Sequence, residues 1–237
     1  MRDPKGTDNM QRLLTYAALA ALLGSPGVFA SETSAGAPGE PCPPVAAKHL
    51  SGVQTVPAGD ASGRENPGSV ASKVSCPQAF PGLSNFAEVS KGRLYRSAQP
   101  TIEGLKLAKE RFGVRTVVNL RTIHSDRKEA EALGLQYHRI PFAAWHVTPE
   151  EVVRFLKIVS NAANQPVLVH CQHGADRTGA MVAVYRMFAQ GWTPDEAIGE
   201  LPRFGFHSIY ANLKTFLRDD QWRRAAEQAG IPRDGLP

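Results

Sequence analysis

The sequence predicts an α/β domain: a central, mostly parallel sheet of about four to five strands flanked by helices. Three observations predict it. Short, continuous apolar runs such as residues 116–120 and 166–170 read as strands buried on both faces. Other stretches place apolar residues at helical spacing, as with Val152, Phe155, Leu156 and Val159. The two kinds alternate along residues 80–230.

In chain order, residues 85–90 and 94–97 read as short strands around a Lys91-Gly92 turn. Residues 101–112 read as a helix with Leu105, Ala108 and Phe112 on one side and Gly113 ending it. Residues 116–120 are β-branched and continuous, a buried strand. Residues 125–133 form a short helix stopped by Gly134, and residues 136–141 a further strand. Thr148-Pro149-Glu150-Glu151 is a helix start: Thr148 caps, Pro149 suits the first turn and Glu151 can bond back. After the strand at 166–170 comes a helix over 177–190, with Val182, Tyr185, Phe188 and Ala189 on one face. Thr193-Pro194-Asp195-Glu196 repeats the start signal, and residues 209–229 read as a last helical stretch.

The flanks read differently. Arg2, Lys5 and Arg12 precede an apolar run over residues 13–23, followed by Gly24, Pro26, Gly27 and the small-residue site ending at Ala30. That order is a signal peptide over residues 1–30, with export to the periplasm or outside the cell, and the run is too short to span a bilayer. Residues 31–79 are rich in Gly, Pro, Ser and Ala and read as a flexible leader, because few large apolar groups offset the chain entropy. Residues 231–237 are a tail. In an oxidising compartment Cys42 and Cys76, both beside prolines, are expected to pair and leave Cys171 free.

A composition of 42% hydrophobic and 21% charged residues is that of a soluble globular chain. The net charge of +5 suits anionic partners. No block of five like charges occurs, so a nucleic-acid-binding tail has no support.

The chemistry concentrates in residues 167–179, VLVHCQHGADRTG. A buried strand ends at His170, a loop runs from Cys171 to Arg177, and a helix begins at its end. Ligands bind beyond the carboxyl ends of strands in such sheets. The loop amides of Gln172, His173, Gly174, Ala175 and Asp176 can converge on an anion, helped by the positive end of the helix. The same surroundings favour the thiolate, the nucleophilic form of Cys171. Arg177 supplies a planar fork for two phosphate oxygens. Gly174 permits a positive φ, and the Thr178 hydroxyl can hydrogen-bond the sulfur.

This run resembles the HCX5R signature of protein tyrosine and dual-specificity phosphatases. His170, Cys171 and Arg177 match it, and Arg177-Thr178-Gly179 fits the usual ending. Residues 94–100 (LYRSAQP) and 117–121 (VVNLR) look like the small exported dual-specificity branch. The resemblance implies a protein tyrosine phosphatase-like fold and hydrolysis through a phosphocysteine, with no metal or organic cofactor. It implies a phosphorylated protein or other phosphate ester as partner, no nucleic acid, and no stable membrane insertion once the signal is removed. It gives His170 the task of orienting the loop.

The same resemblance calls for an Asp on an upstream loop as general acid. Residues 141–149 hold none; Trp145 stands near the expected place. Asp176 ranks first as substitute, since the Asp-Arg-Thr order resembles the myotubularin lipid phosphatases. Asp126 and His146 follow, while Glu150 and Glu151 fit helix capping better. The loop carries no Lys to meet extra phosphates, which favours phosphotyrosine or phosphoserine/threonine in proteins. A phosphoinositide or small-molecule substrate is an alternative. So are a non-catalytic phosphate-binding module, because the acid is missing, and a rhodanese-like sulfurtransferase.

Overall fold

The structure, a computed structural model, describes residues 76–231. The expected signal, the leader up to residue 75, Cys42 and the tail after 231 lie outside the described residues. Cys76 is disulfide-bonded, and Cys171 is a free thiol.

Six strands build one sheet: β1 (Gln78–Phe80), β2 (Leu83–Ser90), β3 (Leu94–Ser97), β4 (Thr116–Asn119), β5 (Gln136–Arg139) and β6 (Val167–His170). Their order is β1-β2-β3-β6-β4-β5. β3, β6, β4 and β5 run parallel, while β1 and β2 are antiparallel additions at one edge. The sheet is therefore larger than expected by β1, whose first two residues fall in the stretch read as leader. Three residues are too few to show an alternation. Phe80 nevertheless docks edge-on against Phe86 and Phe112, at 5.6 and 5.5 Å between ring centres, which ties β1 to the core beside β2 and α1.

The strand pleat divides the core in two. Val167 and Val169 of β6, Val118 of β4 and Leu94 of β3 face one cluster. Leu168, Val117 and Tyr95 face the other. On the second side lie α1 (Ile102–Phe112) and α2 (Arg127–Ala132), contributing Leu105, Ala108 and Ala130. On the first lie α3 (Pro149–Ser160), α4 (Asp176–Ala189), α5 (Pro194–Glu200), α6 (Ala211–Arg218) and α7 (Gln221–Gln228). The start signals act as expected: the Glu151 carboxylate accepts from Thr148 N at 2.7 Å and that of Glu196 from Thr193 N at 2.7 Å.

Two elements depart from the sequence reading. α4 is buried almost all round rather than along one stripe, because outer helices cover the side away from the sheet. Its Arg186 is buried with it, and the charge is met by Glu200 at 2.7 Å and the Val89 carbonyl at 2.9 Å. The stretch 209–229 is not one helix. Asp219 is extended, and its carboxylate accepts from Gln221 N at 2.8 Å, a local bond that competes with helix continuation.

β6 is flanked on both sides by parallel partners, so the carboxyl ends of β3, β6 and β4 lie together. The loop carrying Cys171 leaves from the middle one.

Candidate active site

Three consecutive carbonyls of this loop are held from outside. Gln99 N donates to Gln172 O at 3.1 Å, Asn85 Nδ2 to His173 O at 2.9 Å, and Arg96 Nη2 to Gly174 O at 2.7 Å. In a trans peptide the C=O and the next N–H point opposite ways. Fixing those carbonyls outward therefore turns the amides of His173, Gly174 and Ala175 to the inner side, as an anion nest requires. Gly174 makes the close approach possible. Its φ is +69°, and a Cβ there would sit 2.6 Å from the backbone of Ser97 and Ala98. Only glycine fits both demands.

Cys171 lies at the base of the loop, 2% exposed, with apolar residues of β6 and α4 behind it. The helix begins at Asp176, one residue before the expected start, so Arg177 stands in its first turn. Arg177 is half-buried, and its Nη1 donates to Leu120 O at 3.4 Å. Leu120 N in turn donates to His170 O at 2.9 Å. The Thr178 hydroxyl is buried with no partner among the described residues.

A second guanidinium underlies the loop. Arg96 is 1% exposed, stacks on Phe204 at 3.5 Å, and has Nε and Nη1 unpartnered. Burial pulls its pKa down to about 10, opposed by the charges of Glu200 and Cys171. It stays cationic at neutral pH, with the sulfur inside its field.

His170 is fully buried, and its Nε2 lies 3.0 Å from Asp126 Oδ2, an ion-pair distance at an angle too poor for a well-formed hydrogen bond. Burial raises the Asp126 pKa, but His170 and then Asn119 outweigh it and bring the group down to about 2. Asn119 Nδ2 donates to the other oxygen, Oδ1. At neutral pH Asp126 is thereby held as an ionised partner of His170.

Asp176 is also engaged. Its Oδ1 accepts from His207 N at 2.8 Å, and His207 Nδ1 lies 2.9 Å from Oδ2. Both oxygens of the carboxylate are thus engaged with His207. His173, Asp176 and His207 are the one group among the described residues that could ligate a metal, with ligand atoms within 4.8 Å of one another. The Asp176–His207 pairing satisfies the carboxylate without an ion. His146 closes a turn by donating its N–H to Ala143 O at 2.9 Å, and Trp145 beside it is 72% exposed. Glu150 and Glu151 serve the start of α3, as expected.

Four participants were not singled out from the sequence: Arg96, Asn119, Asn85 and His207. An arginine inside the buried run of residues 94–97 was the available signal for Arg96. No local pattern marks His207, which reaches the loop from 31 residues away.

The family model described as a DSP-PTPase phosphatase fused to NAD+ kinase matches residues 82–227. The chain belongs to that family. Among curated relatives, the dual specificity protein phosphatase TpbA of Pseudomonas aeruginosa (strain UCBPP-PA14) is 34% identical over 144 residues, covering 60% of this chain and 61% of TpbA. The inositol diphosphatase SIW14 of Saccharomyces cerevisiae is 28% identical over 157 residues, covering 61% and 54%. The match thus spans about three-fifths of the first of these relatives and about half of the second. Among solved structures, P. aeruginosa TpbA superimposes with a TM-score of 0.58 at 28% identity, covering 67% of this chain and 97% of that one. A TpbA variant in complex with pTyr gives 0.58 at 26% identity, covering 71% and 100%. The mixed sheet flanked by helices is the DSP-PTPase fold.

Proposed function

We propose that the protein hydrolyses phosphate esters or anhydrides through a phosphocysteine, and acts best where the leaving group departs without being given a proton. The outward anchoring of the Gln172, His173 and Gly174 carbonyls carries the reading. It orients the loop amides for a tetrahedral oxyanion before substrate arrives, and preorganised donors of this kind are the main electrostatic source of catalysis.

In the first step the Cys171 thiolate attacks phosphorus. The S–P bond forms, and the bond to the leaving oxygen breaks with its electron pair. Arg177 exchanges its Leu120 carbonyl for two phosphate oxygens. In the second step water attacks phosphorus, the S–P bond breaks, orthophosphate leaves and the thiolate returns; the water's proton goes to solvent. Arg96, behind the loop, steadies the sulfur's charge in both resting and released forms.

Leaving-group chemistry follows from the occupied carboxylates. A phenolate, with a conjugate pKa near about 10, or a phosphate, near about 6, departs far more readily than a serine alkoxide. Phosphotyrosine and phosphoanhydrides therefore suit the site better than phosphoserine or phosphothreonine. TpbA, seen with pTyr, and the inositol diphosphatase SIW14 stand on these two sides. The order of charge, apolar run and small-residue site in residues 1–30 supports a substrate outside the cytoplasm.

The test pairs wild type with Cys171→Ser on para-nitrophenyl phosphate. Turnover should fall by about four orders of magnitude in the variant; equal rates would refute the nucleophile. Wild type should also prefer phosphotyrosine over phosphoserine peptides by about a hundredfold or more in kcat/KM. Equal rates there would sink the leaving-group argument alone.

A further inference from the structure

A second basic site lies away from the catalytic loop. β5 is the edge strand opposite β1, and a cavity of about 440 Å³ opens along it between α2 and α3. Arg127 of α2, Tyr137, His138 and Arg139 of β5, and Arg154 and Lys157 of α3 line it. No carboxylate does, and no residue of the catalytic loop takes part.

Four formal positive charges in one cavity repel one another unless something offsets them. Only Arg127 is in an ion pair among the described residues, with Glu131 at 3.0 Å. The other two arginines are held by backbone. Arg154 Nη2 donates to Arg139 O at 2.9 Å, while Arg139 donates to the carbonyls of Arg121 and Thr122. These bonds fix the direction of the guanidinium groups without neutralising them. His138 adds a buried Nε2 with no partner among the described residues.

The strand edge adds donors. Gln136 N and Ile140 N bond towards β4, to Arg115 O and Asn119 O, both at 2.9 Å. Alternation then turns the amides of Tyr137 and Arg139 to the open side. The Arg139 carbonyl on that side is already taken by Arg154. The Tyr137 carbonyl shares that side, but the guanidinium groups around it make donors outnumber acceptors, which suits a ligand that mainly accepts. That balance suits less well a peptide strand, which brings both kinds of group.

We propose that this cavity binds a small soluble ligand carrying two or more phosphate groups, separately from the Cys171 loop. Guanidinium pairs favour phosphate oxygens, and the volume fits a small molecule.

Tripolyphosphate is the probe, titrated by calorimetry into the full chain carrying Arg177→Ala so that the catalytic loop is silenced. Binding should persist there and weaken by about tenfold or more when Arg154→Ser and Lys157→Ser are added. Shift mapping by NMR on wild type should move Arg127, His138 and Arg154 as well as the loop. Both substituted side chains are exposed, so para-nitrophenyl phosphate turnover of Arg154→Ser/Lys157→Ser should match wild type and report intact folding. No binding in the Arg177→Ala chain, or equal binding with and without the pair of serines, would overturn the proposal. So would retention on phosphatidic acid vesicles without tripolyphosphate binding, which would assign the groups to a membrane surface.

Discussion

Asp176 and His207 are bound to each other twice: the carboxylate receives the backbone N–H of His207 at 2.8 Å and faces its Nδ1 at 2.9 Å. The residue in front of Arg177 thereby ties the catalytic loop to the segment after α5. Asp176→Asn keeps one acceptor and loses the charge. It should lower stability by about 1–3 kcal/mol in urea unfolding. Rates on para-nitrophenyl phosphate and on a phosphoserine peptide should fall together. A loss confined to the phosphoserine peptide would return the general acid to Asp176.

The contact between Asp126 and His170 gives a pH signature. The folded-state pKa of Asp126 is about 2, below its ordinary 3.8. A carboxylate so lowered stabilises the fold above its unfolded pKa, and that contribution disappears as pH falls from 3.8 towards about 2. Unfolding free energy measured across that window should drop more steeply for wild type than for Asp126→Asn. Parallel curves would mean that the pair does not stabilise the fold.

Gly174 and Gly191 make a matched comparison, with φ of +69° and +70°. Alanine at Gly191 meets nothing within 4 Å, so it should cost about 1 kcal/mol for the left-handed backbone alone. At Gly174 the new methyl collides with Ser97 and Ala98. The loss should exceed that at Gly191 by about 2 kcal/mol or more, with turnover falling by orders of magnitude. Equal melting shifts for the two variants would show that the loop does not rest on β3.

Arg96 reaches both the loop, through Gly174 O, and the sulfur, through its charge. Arg96→Met removes the bond to Gly174 O and the nearby positive charge. Iodoacetamide should alkylate Cys171 about tenfold more slowly in the variant, and kcat should fall with KM nearly unchanged. Arg96→Lys should restore alkylation in part, because charge returns without the stacking on Phe204. Wild-type alkylation in Arg96→Met would rule out the electrostatic role.

The sheet, its crossovers and the catalytic loop were legible because each rests on local chemistry. Apolar runs mark 116–120 and 166–170, Thr-Pro-x-Glu marks two helix starts, and Cys171 and Arg177 stand at the spacing a phosphate needs. β1 was not, since it exists through the contacts of Phe80 with Phe86 and Phe112. The fate of the two aspartates was hidden for the same reason. Asp126 is committed to a histidine 44 positions on and Asp176 to one 31 positions on, and no window of sequence contains either pair. Arg96 was visible as a charge in a buried strand, but its purpose appears only when Gly174 lies over it.

The peptide units of Leu120 touch the active segment at both limits: its N–H meets the carbonyl of His170, and its own carbonyl meets the side chain of Arg177. The separation between sulfur and guanidinium is thus gauged by a neighbouring strand as much as by the intervening residues. The side chains of Gln172 and His173 are exposed, while a one-residue slip of the chain leaving β4 would change the span itself. The rim of the loop is thus open to solvent, while its span is set from outside the loop.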